Sequence, residues 1–200
     1  MITFPFTSNI YLEDERVLLR PLSIDDYPFL RNFCILEPEI WTYSLQSAAG
    51  EANMRLYIQQ AIKARQQKHA YAFIVFDKIA QEYVGCTRFY DIQETHECLQ
   101  LGYTWYGKKF QGTGINTHCK YLLLSYAFDQ LGVKRVELRA DSNNSRSIHA
   151  MKKIGCSVEG ILRSNMIKAD GNRRDSIVLS ILKEEWSTQV KALLVKQMQQ

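Results

Sequence analysis

A glycine-containing segment near the middle of the chain is the strongest candidate for a site that binds an anion. It runs from Gly102 to Asn116 as GYTWYGKKFQGTGIN, so a strand-like stretch is followed by a loop and then by the start of a helix. Backbone N–H groups in the first turn of a helix lack internal partners, and the helix dipole adds partial positive charge there. Gly112 and Gly114 allow the backbone to approach a bulky anion. The segment therefore predicts a diphosphate-binding loop, to which Lys108 and Lys109 add long-range attraction.

Two common nucleotide-binding motifs are absent from the chain. It lacks the GxxxxGK[ST] sequence of a nucleoside-triphosphate loop, and it lacks a complete GxGxxG behind a leading parallel strand. A GxG before a helix is a weak signal by itself, because many tight turns share it. The interpretation of the loop therefore depends on the elements around it.

Asn144 and Ser147 form a second polar pair, at the start of a later helix. Asparagine is a preferred N-cap residue, and a serine three positions later lies in the first helical turn. The pair is therefore either a helix cap alone or part of a ligand site. The glycine loop upstream favours the ligand site.

The order of strands and helices determines where these residues lie. Strand patterns cover residues 16–22, 71–77, 83–92, 98–106, 133–140, 158–167 and 175–182, with a turn at 169–172 between the last two. Helix patterns follow an N-cap at Ser23, cover 51–67, run from about 114 to a stop at Gly132, cover 144–154, and end in a tail at 184–198. Three consecutive strands predict an antiparallel meander. The expected fold class is α/β (α+β), with a mixed, mostly antiparallel seven-stranded sheet flanked by helices.

Length and composition predict a single domain over residues 1–200. The chain is 46% apolar and 23% charged, and its net charge of +4 is too mild to indicate nucleic acid but is compatible with an anionic ligand. The five cysteines lack CxxC spacing and are expected to be free thiols. His118 and His149 have no metal-ligand spacing, so no metal is expected. No signal-peptide pattern or membrane-length apolar run is present, which favours a cytoplasmic protein.

Taken together, these pieces resemble the GNAT acetyltransferase superfamily, in the branch that includes the RimJ/RimL ribosomal-protein N-terminal acetyltransferases. The family's acetyl-CoA loop has the form Q/R-x-x-G-x-G/A, and KFQGTG matches it here, with Lys109 where Gln or Arg is usual. The match continues from Leu101 to Ser176 through the strand LGYTW, the segment N-x-x-S…I-G-C and the closing hairpin. Residues 1–70 match in element order only.

The resemblance implies a role for each part of the site. The acetyl-CoA loop would comprise Lys109, Phe110, Gln111, Gly112, Thr113, Gly114, Ile115 and Asn116, with backbone amides from Gln111 to Ile115 on the pyrophosphate. Backbone groups of Tyr103, Thr104 and Trp105 would pair with the pantetheine arm, and an N–H near Trp105 would stabilise the oxyanion. Asn144 would bond the pantetheine near the sulfur. Ser147 would protonate the departing thiolate, with Tyr103 as the second candidate acid.

Two family positions hold residues that cannot do the usual chemistry. Met151 stands where many members have a tyrosine acid, and Met166 stands where RimL-like enzymes have a glutamate base. The base is therefore unassigned. Candidates near the meander are Asp91, Glu94, His96 and Glu97, each of which is also readily explained as a solvated turn residue.

The acceptor side is less defined. Trp41 and Tyr43 lie in the region that forms the acceptor pocket in relatives, where they either form an aromatic wall for an amine or are buried between the first two helices. Trp105 is expected in the core, and Arg173 and Arg174 are expected to be solvent-exposed. The tail helix either covers the sheet or joins a partner chain, so a homodimer stays open.

The resemblance implies an N-acetyltransferase that moves an acetyl group from acetyl-CoA directly to a primary amine in a ternary complex. The acceptor could be a protein or peptide N-terminus, a polyamine, an amino acid or an aminoglycoside; an acidic pocket would favour polycations, and an open groove a peptide. Two alternatives are an acyl-CoA-binding sensor without turnover and a basic RNA- or ribosome-associated protein. No membrane or direct nucleic-acid partner is expected.

Overall fold

Eight strands form one mixed sheet. The computed structural model describes residues 1–168 and 170–199. The strands follow the spatial order β1-β2-β3-β4-β5-β6-β8-β7. Their bounds are Leu12–Glu13 for β1, Val17–Pro21 for β2, Ala70–Asp77 for β3, Glu82–Gln93 for β4, Cys98–Tyr106 for β5, Arg135–Asp141 for β6, Ser157–Ile167 for β7 and Arg173–Leu182 for β8.

The expected count of seven strands is wrong by one. Leu12 and Glu13 pair antiparallel with Leu19 and Leu18, which adds the short strand β1 at the edge. Two residues are too few to give an alternating sequence pattern. The mixed, mostly antiparallel sheet is confirmed, as is the β3–β4–β5 meander. The turn expected at 169–172 includes Ala169, which lies outside the described residues.

The helices lie close to their predicted positions. Their bounds are Tyr27–Leu36 for α1, Glu51–Gln66 for α2, Ile115–Ser125 for α3 and Ser145–Lys153 for α4; a C-terminal helix follows as Lys183–Glu185, a π-helical turn Trp186–Val190, and Lys191–Met198. Ser23 is an N-cap as expected, because its Oγ accepts from Asp25 N and Asp26 Oδ2 accepts from Ser23 N. A π-helical turn extends α3 to Gly132, whose φ of 79° ends it.

The C-terminal helix packs on α3 and its π-helical extension within the same chain. Trp186 is 1% exposed, stacks on Phe128 with ring centroids 5.7 Å apart, and donates from Nε1 to Asp129 Oδ1 at 2.9 Å. Val190 and Leu194 are buried beside it. The tail helix therefore packs on α3 within the chain, and a role in joining a partner chain stays a prediction.

The separation of β5 from β6 determines where the candidate site lies. They are parallel neighbours, and they pair only from Cys98 to Gln100 against Arg135 to Glu137. Beyond that point β6 continues to pair with β8 through Asp141, whereas the second half of β5 has no partner on this side. The strands therefore leave a gap toward their C-terminal ends, with unpaired β5 backbone along one edge.

A β-bulge bends β5 within this gap. Cys86 pairs with Trp105 and Arg88 pairs with Gly102, so Thr87 alone faces two β5 residues, Tyr103 and Thr104. Tyr103 has a φ of 50°, in the left-handed region that tyrosine rarely adopts. Bulges change the direction of side chains and are frequent beside functional sites.

The structure also bears on the expectations that the cysteines are free thiols and that no segment spans a membrane. All five cysteines are free, and four of them are buried. Across the part of the chain that the structure describes, no helix combines the length and apolarity that a bilayer crossing would require.

Trp186→Ala should lower the free energy of unfolding by about 3–5 kcal/mol, because it removes a large, fully enclosed side chain and its hydrogen bond to Asp129. Urea unfolding followed by circular dichroism measures the loss. Val195→Ala is the control on the same helix, since Val195 is 38% exposed and should change stability by less than about 1 kcal/mol. Equal small losses would show that the C-terminal helix is not docked as described.

Candidate active site

A cleft of about 540 Å³ occupies the gap between β5 and β6. It brings together most of the residues singled out from sequence. Those that line it are Trp41, Tyr43, Tyr103, Thr104, Trp105, Phe110, Gln111, Gly112, Asn116, Asn144 and Ser147. Lys109, Thr113, Gly114 and Ile115 lie outside the lining. Lys109 instead pairs with Glu82 at 2.6 Å, and Lys108 pairs with Glu39.

The loop before α3 presents unpaired backbone N–H groups. Gly112 and Gly114 are left-handed, with φ of 79° and 90°. Within the described residues, the amides from Gly112 to Asn116 donate to no other backbone group, and Gly114 provides no side-chain cap. Intrahelical bonding begins at Thr117, which donates to Gly114 O at 2.8 Å. The start of α3 is therefore an open set of donors at the positive end of the helix dipole.

Space around the two glycines suits a bulky ligand. A Cβ built at Gly112 or Gly114 would meet no atom within 4 Å, whereas at Gly85 it would lie 2.0 Å from Trp105 O. Gly85 is thus required by strand packing, while the loop glycines face open space. The donor set, the space and the adjoining unpaired strand fit a diphosphate with an extended arm.

Gln111 holds the loop in this position. Its Nε2 donates to Tyr106 O at 2.8 Å, at the end of β5, and its Oε1 accepts from Arg146 on α4. Thr113 Oγ1 donates to Phe110 O at 2.8 Å. The side chain of Gln111 therefore connects β5, the loop and α4.

Asn144 is the N-cap of α4, and its Oδ1 accepts from Ser147 N at 3.1 Å. The capping interpretation is therefore correct, and it is compatible with a second role. With Oδ1 held by the cap, the amide nitrogen of Asn144 is left to contact a ligand. Ser147 Oγ has no hydrogen-bond partner in the described chain, so this hydroxyl is free to donate into the cleft.

Buried polar atoms without partners concentrate at the cleft. Among the described residues there are ten such atoms, and three of them, Arg16 Nε, Ser125 Oγ and Gln197 Oε1, lie away from the cleft. The other seven are Trp41 Nε1, Tyr57 hydroxyl, Nε and Nη2 of Arg88, Trp105 Nε1, Tyr106 hydroxyl and Asn165 Oδ1, and all of these except the Arg88 atoms belong to residues that line the cleft. Native proteins rarely leave buried polar atoms unpaired, so such a concentration indicates a binding site. Trp41 packs edge-on against Trp105, with centroids 5.2 Å apart, so it is both buried and part of the aromatic wall.

The comparisons with known proteins agree with this geometry. A family model for the acetyltransferase (GNAT) domain matches residues 16–157. The chain belongs to the GNAT acetyltransferase family. It is an acetyl-CoA-dependent N-acetyltransferase.

Two relatives and one solved structure illustrate the similarity of this acetyltransferase to known proteins. "Uncharacterized N-acetyltransferase p20" of Bacillus licheniformis is 26% identical over 88% of this chain and 98% of its own. "Putative ribosomal N-acetyltransferase YdaF" of Bacillus subtilis is 31% identical over 51% of this chain and 55% of its own, in agreement with the RimJ/RimL branch. The crystal structure of a "putative acetyltransferase" from T. thermophilus has a TM-score of 0.86 at 31% identity, covering 98% of this chain and 99% of that one.

The two methionines at family acid and base positions both line the cleft of the acetyltransferase. Met151 is 7% exposed on α4, and Met166 lies on β7. A thioether carries no proton to give and accepts only weakly, so neither side chain replaces the usual acid or base.

The four candidate bases near the meander lie outside the lining. Glu97 pairs with the N-terminal ammonium, and Glu94 accepts from Phe4 N at 2.6 Å. Asp91 accepts from Gln100 Nε2 at 2.6 Å, and only through Gln100 does it approach the cleft. The carboxylate that does line the cleft is Asp141, which sequence reasoning missed. Its position, three residues before Asn144 at the end of β6, was the available signal.

Three basic side chains are buried without an ion pair in the acetyltransferase. Arg88, Lys120 and Arg174 are each at most 7% exposed, and none has a carboxylate oxygen within 4 Å among the described residues. The expectation that Arg174 is solvent-exposed is wrong, because β8 directs it into the cleft rather than outward; Arg173 is exposed as expected. A hairpin position in the sequence does not distinguish the two faces of the strand.

Lys120 is the buried cation on α3. Its Nζ donates to Thr104 Oγ1 at 2.9 Å, and Thr104 Oγ1 lies 2.8 Å from Thr87 Oγ1. Burial lowers the pKa of Lys120 to about 8. The pKa falls because burial desolvates the charged ammonium, and no carboxylate among the described residues offsets this cost. The fold thus retains a destabilising charge directly beside β5, in the lining of the cleft.

His118 is also buried, and it contacts a carboxylate on the opposite edge of the fold. Its Nδ1 lies 2.8 Å from Asp14 Oδ2 and 3.9 Å from Glu15 Oε1. These three side chains could together hold a metal ion, but their contacts equally connect α3 to the β1–β2 turn. The expected absence of a metal stays a prediction.

The contribution of Lys120 to the free energy of unfolding should rise between pH 8 and pH 10. It acts against the fall caused by buried thiols such as Cys119 and Cys156, because burial raises their pKa to about 12 and they keep protons that the unfolded chain releases. Lys120 loses its proton near pH 8 when folded, whereas the unfolded chain keeps that proton to about pH 10.4, so the unfolded state binds more protons in this window. The contribution is roughly 3 kcal/mol. Lys120→Met should abolish this rise and stabilise the protein by up to that amount at pH 7. Urea unfolding at pH 7 and 10 measures both effects.

Lys63→Met is the matched control, because Lys63 is exposed on α2. It should preserve the pH dependence. If the free energy of unfolding changed by the same amount between pH 7 and pH 10 in Lys120→Met and in the unmodified protein, Lys120 would not contribute to the pH dependence.

Proposed function

We propose that the cleft binds acetyl-CoA across the start of α3 and along β5, and transfers its acetyl group directly to a primary amine. The observation that carries the proposal is the set of unpaired amides from Gly112 to Asn116, beside an unpaired strand edge. Bound acetyl-CoA supplies an activated acyl group as a thioester. Everything else in the reaction is positioning, proton transfer and electrostatic stabilisation by the chain.

Each part of the donor has a counterpart in the cleft. The loop amides would hold the diphosphate. Backbone groups of Tyr103, Thr104 and Trp105 would hydrogen-bond the pantetheine arm as an added strand, since this half of β5 lacks a neighbour on the β6 side. The amide nitrogen of Asn144 would contact the arm near the sulfur. The bulge at Tyr103 would turn one backbone N–H near Trp105 toward the acyl oxygen.

The transfer proceeds by direct attack of a neutral amine on the acyl carbon. The C–N bond forms, the C–S bond breaks, the nitrogen gives up one proton, and the departing thiolate takes up one. A cysteine relay is disfavoured, because burial raises the pKa of Cys119 and of Cys156 to about 12. Thiols that remain protonated at neutral pH are poor nucleophiles.

Ser147 is the proposed proton donor to the thiolate. Its hydroxyl has no partner among the described side chains, while its own N–H is fixed by the Asn144 cap. Tyr103 is the second candidate, exposed by the bulge. The ammonium of Lys120 would add positive potential under the developing thiolate, in a setting where low dielectric strengthens its effect.

Asp141 is the proposed acceptor of the amine proton, directly or through water. It is the carboxylate that lines the cleft in the described part of the chain. Asp141 Oδ1 already accepts from Asn143 N and Nδ2, at 2.9 and 3.1 Å, so the carboxylate is held in one orientation. Asp141 would therefore act as the general base in place of the four candidates near the meander, which lie outside the cleft lining.

The charge of the cleft disfavours polycationic acceptors. Lys120, Arg139, Arg146 and Arg174 line it, against the single carboxylate of Asp141 within the described residues. An acidic pocket would have favoured a polyamine or an aminoglycoside, and this cleft is basic. A monoamine, such as a peptide N-terminus or an amino acid, fits better, and the ribosomal designation of YdaF points in the same direction.

Gly112→Asp should abolish binding of CoA, because a side chain at this position adds bulk and negative charge among the phosphate donors. The expected loss of affinity is at least about tenfold. Calorimetric titration with CoA measures it. Gly132→Asp is the matched control: Gly132 has the same φ of 79° and open surroundings, but lies at the far end of the α3 extension. A folded Gly112→Asp variant with unchanged CoA affinity would remove the diphosphate from this loop.

Ser147→Ala should lower kcat about tenfold or more while leaving acetyl-CoA affinity nearly unchanged, because it removes the hydroxyl but keeps the N–H that the Asn144 cap uses. Thiol release under saturating acceptor measures kcat. Ser145→Ala is the control, one residue after the cap and exposed. Equal rates for Ser147→Ala and the unmodified enzyme would exclude Ser147 as the acid.

A further inference from the structure

Two of the buried, unpaired arginines lie on the same face of the sheet. Alternate residues of a strand share a face, and so do directly opposed residues of neighbouring strands. On β4, Arg88 and Tyr90 are two residues apart, and Tyr90 is opposite Gln100 on β5. Gln100 is opposite Glu137 on β6, and Asp141 lies four residues further along that strand. Asp141 is opposite Ser176 on β8, which is two residues from Arg174. We call this side the α2 face, because Tyr57 of α2 lies against Arg88 there.

Arg174 extends into the cleft with unused donors. Its Nε donates to Ser176 Oγ at 3.1 Å, and its two terminal nitrogens have no hydrogen-bond partner within the described chain. The residue is only 7% exposed, and burial lowers its pKa, although Asp141, Tyr90 and Tyr103 nearby act in the opposite direction. The guanidinium is therefore charged and desolvated, and it opens onto the cleft.

Arg88 lies deeper on the same face. Its guanidinium carbon is 4.2 Å from the centre of the Tyr103 ring and 5.3 Å from that of Tyr57. Nε and Nη2 are buried without a carboxylate or carbonyl partner in the described chain. The acceptor beside them is the Tyr57 hydroxyl, which Arg88 and the Trp105 indole N–H both approach, and which lines the cleft. These groups are mainly donors, and the described residues around them offer no carboxylate.

Three other partly buried arginines of this chain have carboxylate partners. Arg16 pairs with Asp77, Arg20 pairs with Asp26 through both of its terminal nitrogens, and Arg135 pairs with Glu137 and Glu159. A buried charge is expensive unless it is paired. Arg88 and Arg174 differ from these arginines because they lack a carboxylate partner among the described residues, and they lie at the cleft where a substrate would bind.

We propose that the acceptor amine carries a carboxylate, and that Arg174, supported by Arg88, binds it. The inference rests on the proposed function and narrows its acceptor to amino-acid-type compounds or to peptides with an acidic first residue. Asp141, which lies near Arg174, and the buried, unpaired Oδ1 of Asn165 would face the amine. A cation and an anion close together in one cleft match a zwitterion, and they do not match a polycation.

The test compares acceptors with and without one carboxylate. Because the carboxylate also raises the pKa of the neighbouring amine, kcat/KM is expressed per neutral amine. One arm uses glycine, alanine and glutamate against their carboxamides; the other uses an Asp-Ala amide against an Asn-Ala amide. Thiol release from acetyl-CoA gives kcat/KM for each. The carboxylate members of at least one arm should be favoured by about tenfold or more, and the arm that responds identifies a free amino acid or an acidic peptide terminus.

Variants identify the residue that reads the carboxylate. Arg174→Gln should reduce the preference to about one, Arg174→Lys should retain part of it, and Arg88→Gln should weaken it. Arg173→Gln should preserve it, because Arg173 is exposed on the same strand and lies outside the cleft lining. In parallel, CoA-saturated enzyme is titrated with N-acetylglycine and with N-acetylglycinamide, so that carboxylate binding is measured without turnover.

Each result separates this inference from the proposed function. Turnover that favours carboxamides, a preference that survives Arg174→Gln, or equal binding of the two acetylated products would overturn the inference while leaving the acetyltransferase intact. Failure to bind acetyl-CoA at all would instead overturn the proposed site. Binding of acetyl-CoA with neither turnover nor binding of any carboxylate compound would also contradict the inference.

Discussion

The separation of two parallel strands is the constraint on which the site depends. β5 and β6 share only three residue pairs, after which β6 remains with β8 and β5 follows the bulge at Tyr103. A continuous ladder would have filled the gap with backbone hydrogen bonds and left no room for a ligand arm. The same separation directs the end of β5 into the glycine loop, so that an unpaired strand edge and an uncapped helix start adjoin each other. One topological event thus creates both halves of the proposed acetyl-CoA site.

The cleft accepts interactions that the rest of the fold avoids. Away from the cleft, shielded arginines have acceptors: Arg20 pairs with Asp26, and Arg65 donates to backbone carbonyls. In and around the cleft, Arg88, Lys120 and Arg174 have no carboxylate partner among the described residues. Tyr103 has a backbone conformation that is unfavourable for its type, and several buried donors have no acceptor. Such features lower stability, and proteins keep them where function requires charge, strain or unsatisfied polarity. Their concentration at one place is the physical sign of the site.

Much of the fold followed from local patterns, whereas the acceptor side did not. The strand and helix positions, the cap at Ser23 and the stop at Gly132 depend on near neighbours in the sequence, and they were predictable. β1 was missed because two residues give no periodicity. The loop and the Asn144–Ser147 pair were found because backbone donors and caps leave a local signature. Asp141, Arg88 and the burial of Arg174 depend on which strands lie side by side, which the order of elements alone does not reveal.

The central claim is that main-chain donors at the start of α3 hold the diphosphate of the acyl donor. Its most direct measurement is the amide NMR spectrum of the labelled protein during titration with CoA, and separately with pantetheine, which lacks the diphosphate. The account predicts large downfield shifts for the amides of Gly112 to Asn116 with CoA, and little change there with pantetheine. Tight CoA binding that leaves these amides unmoved would contradict it.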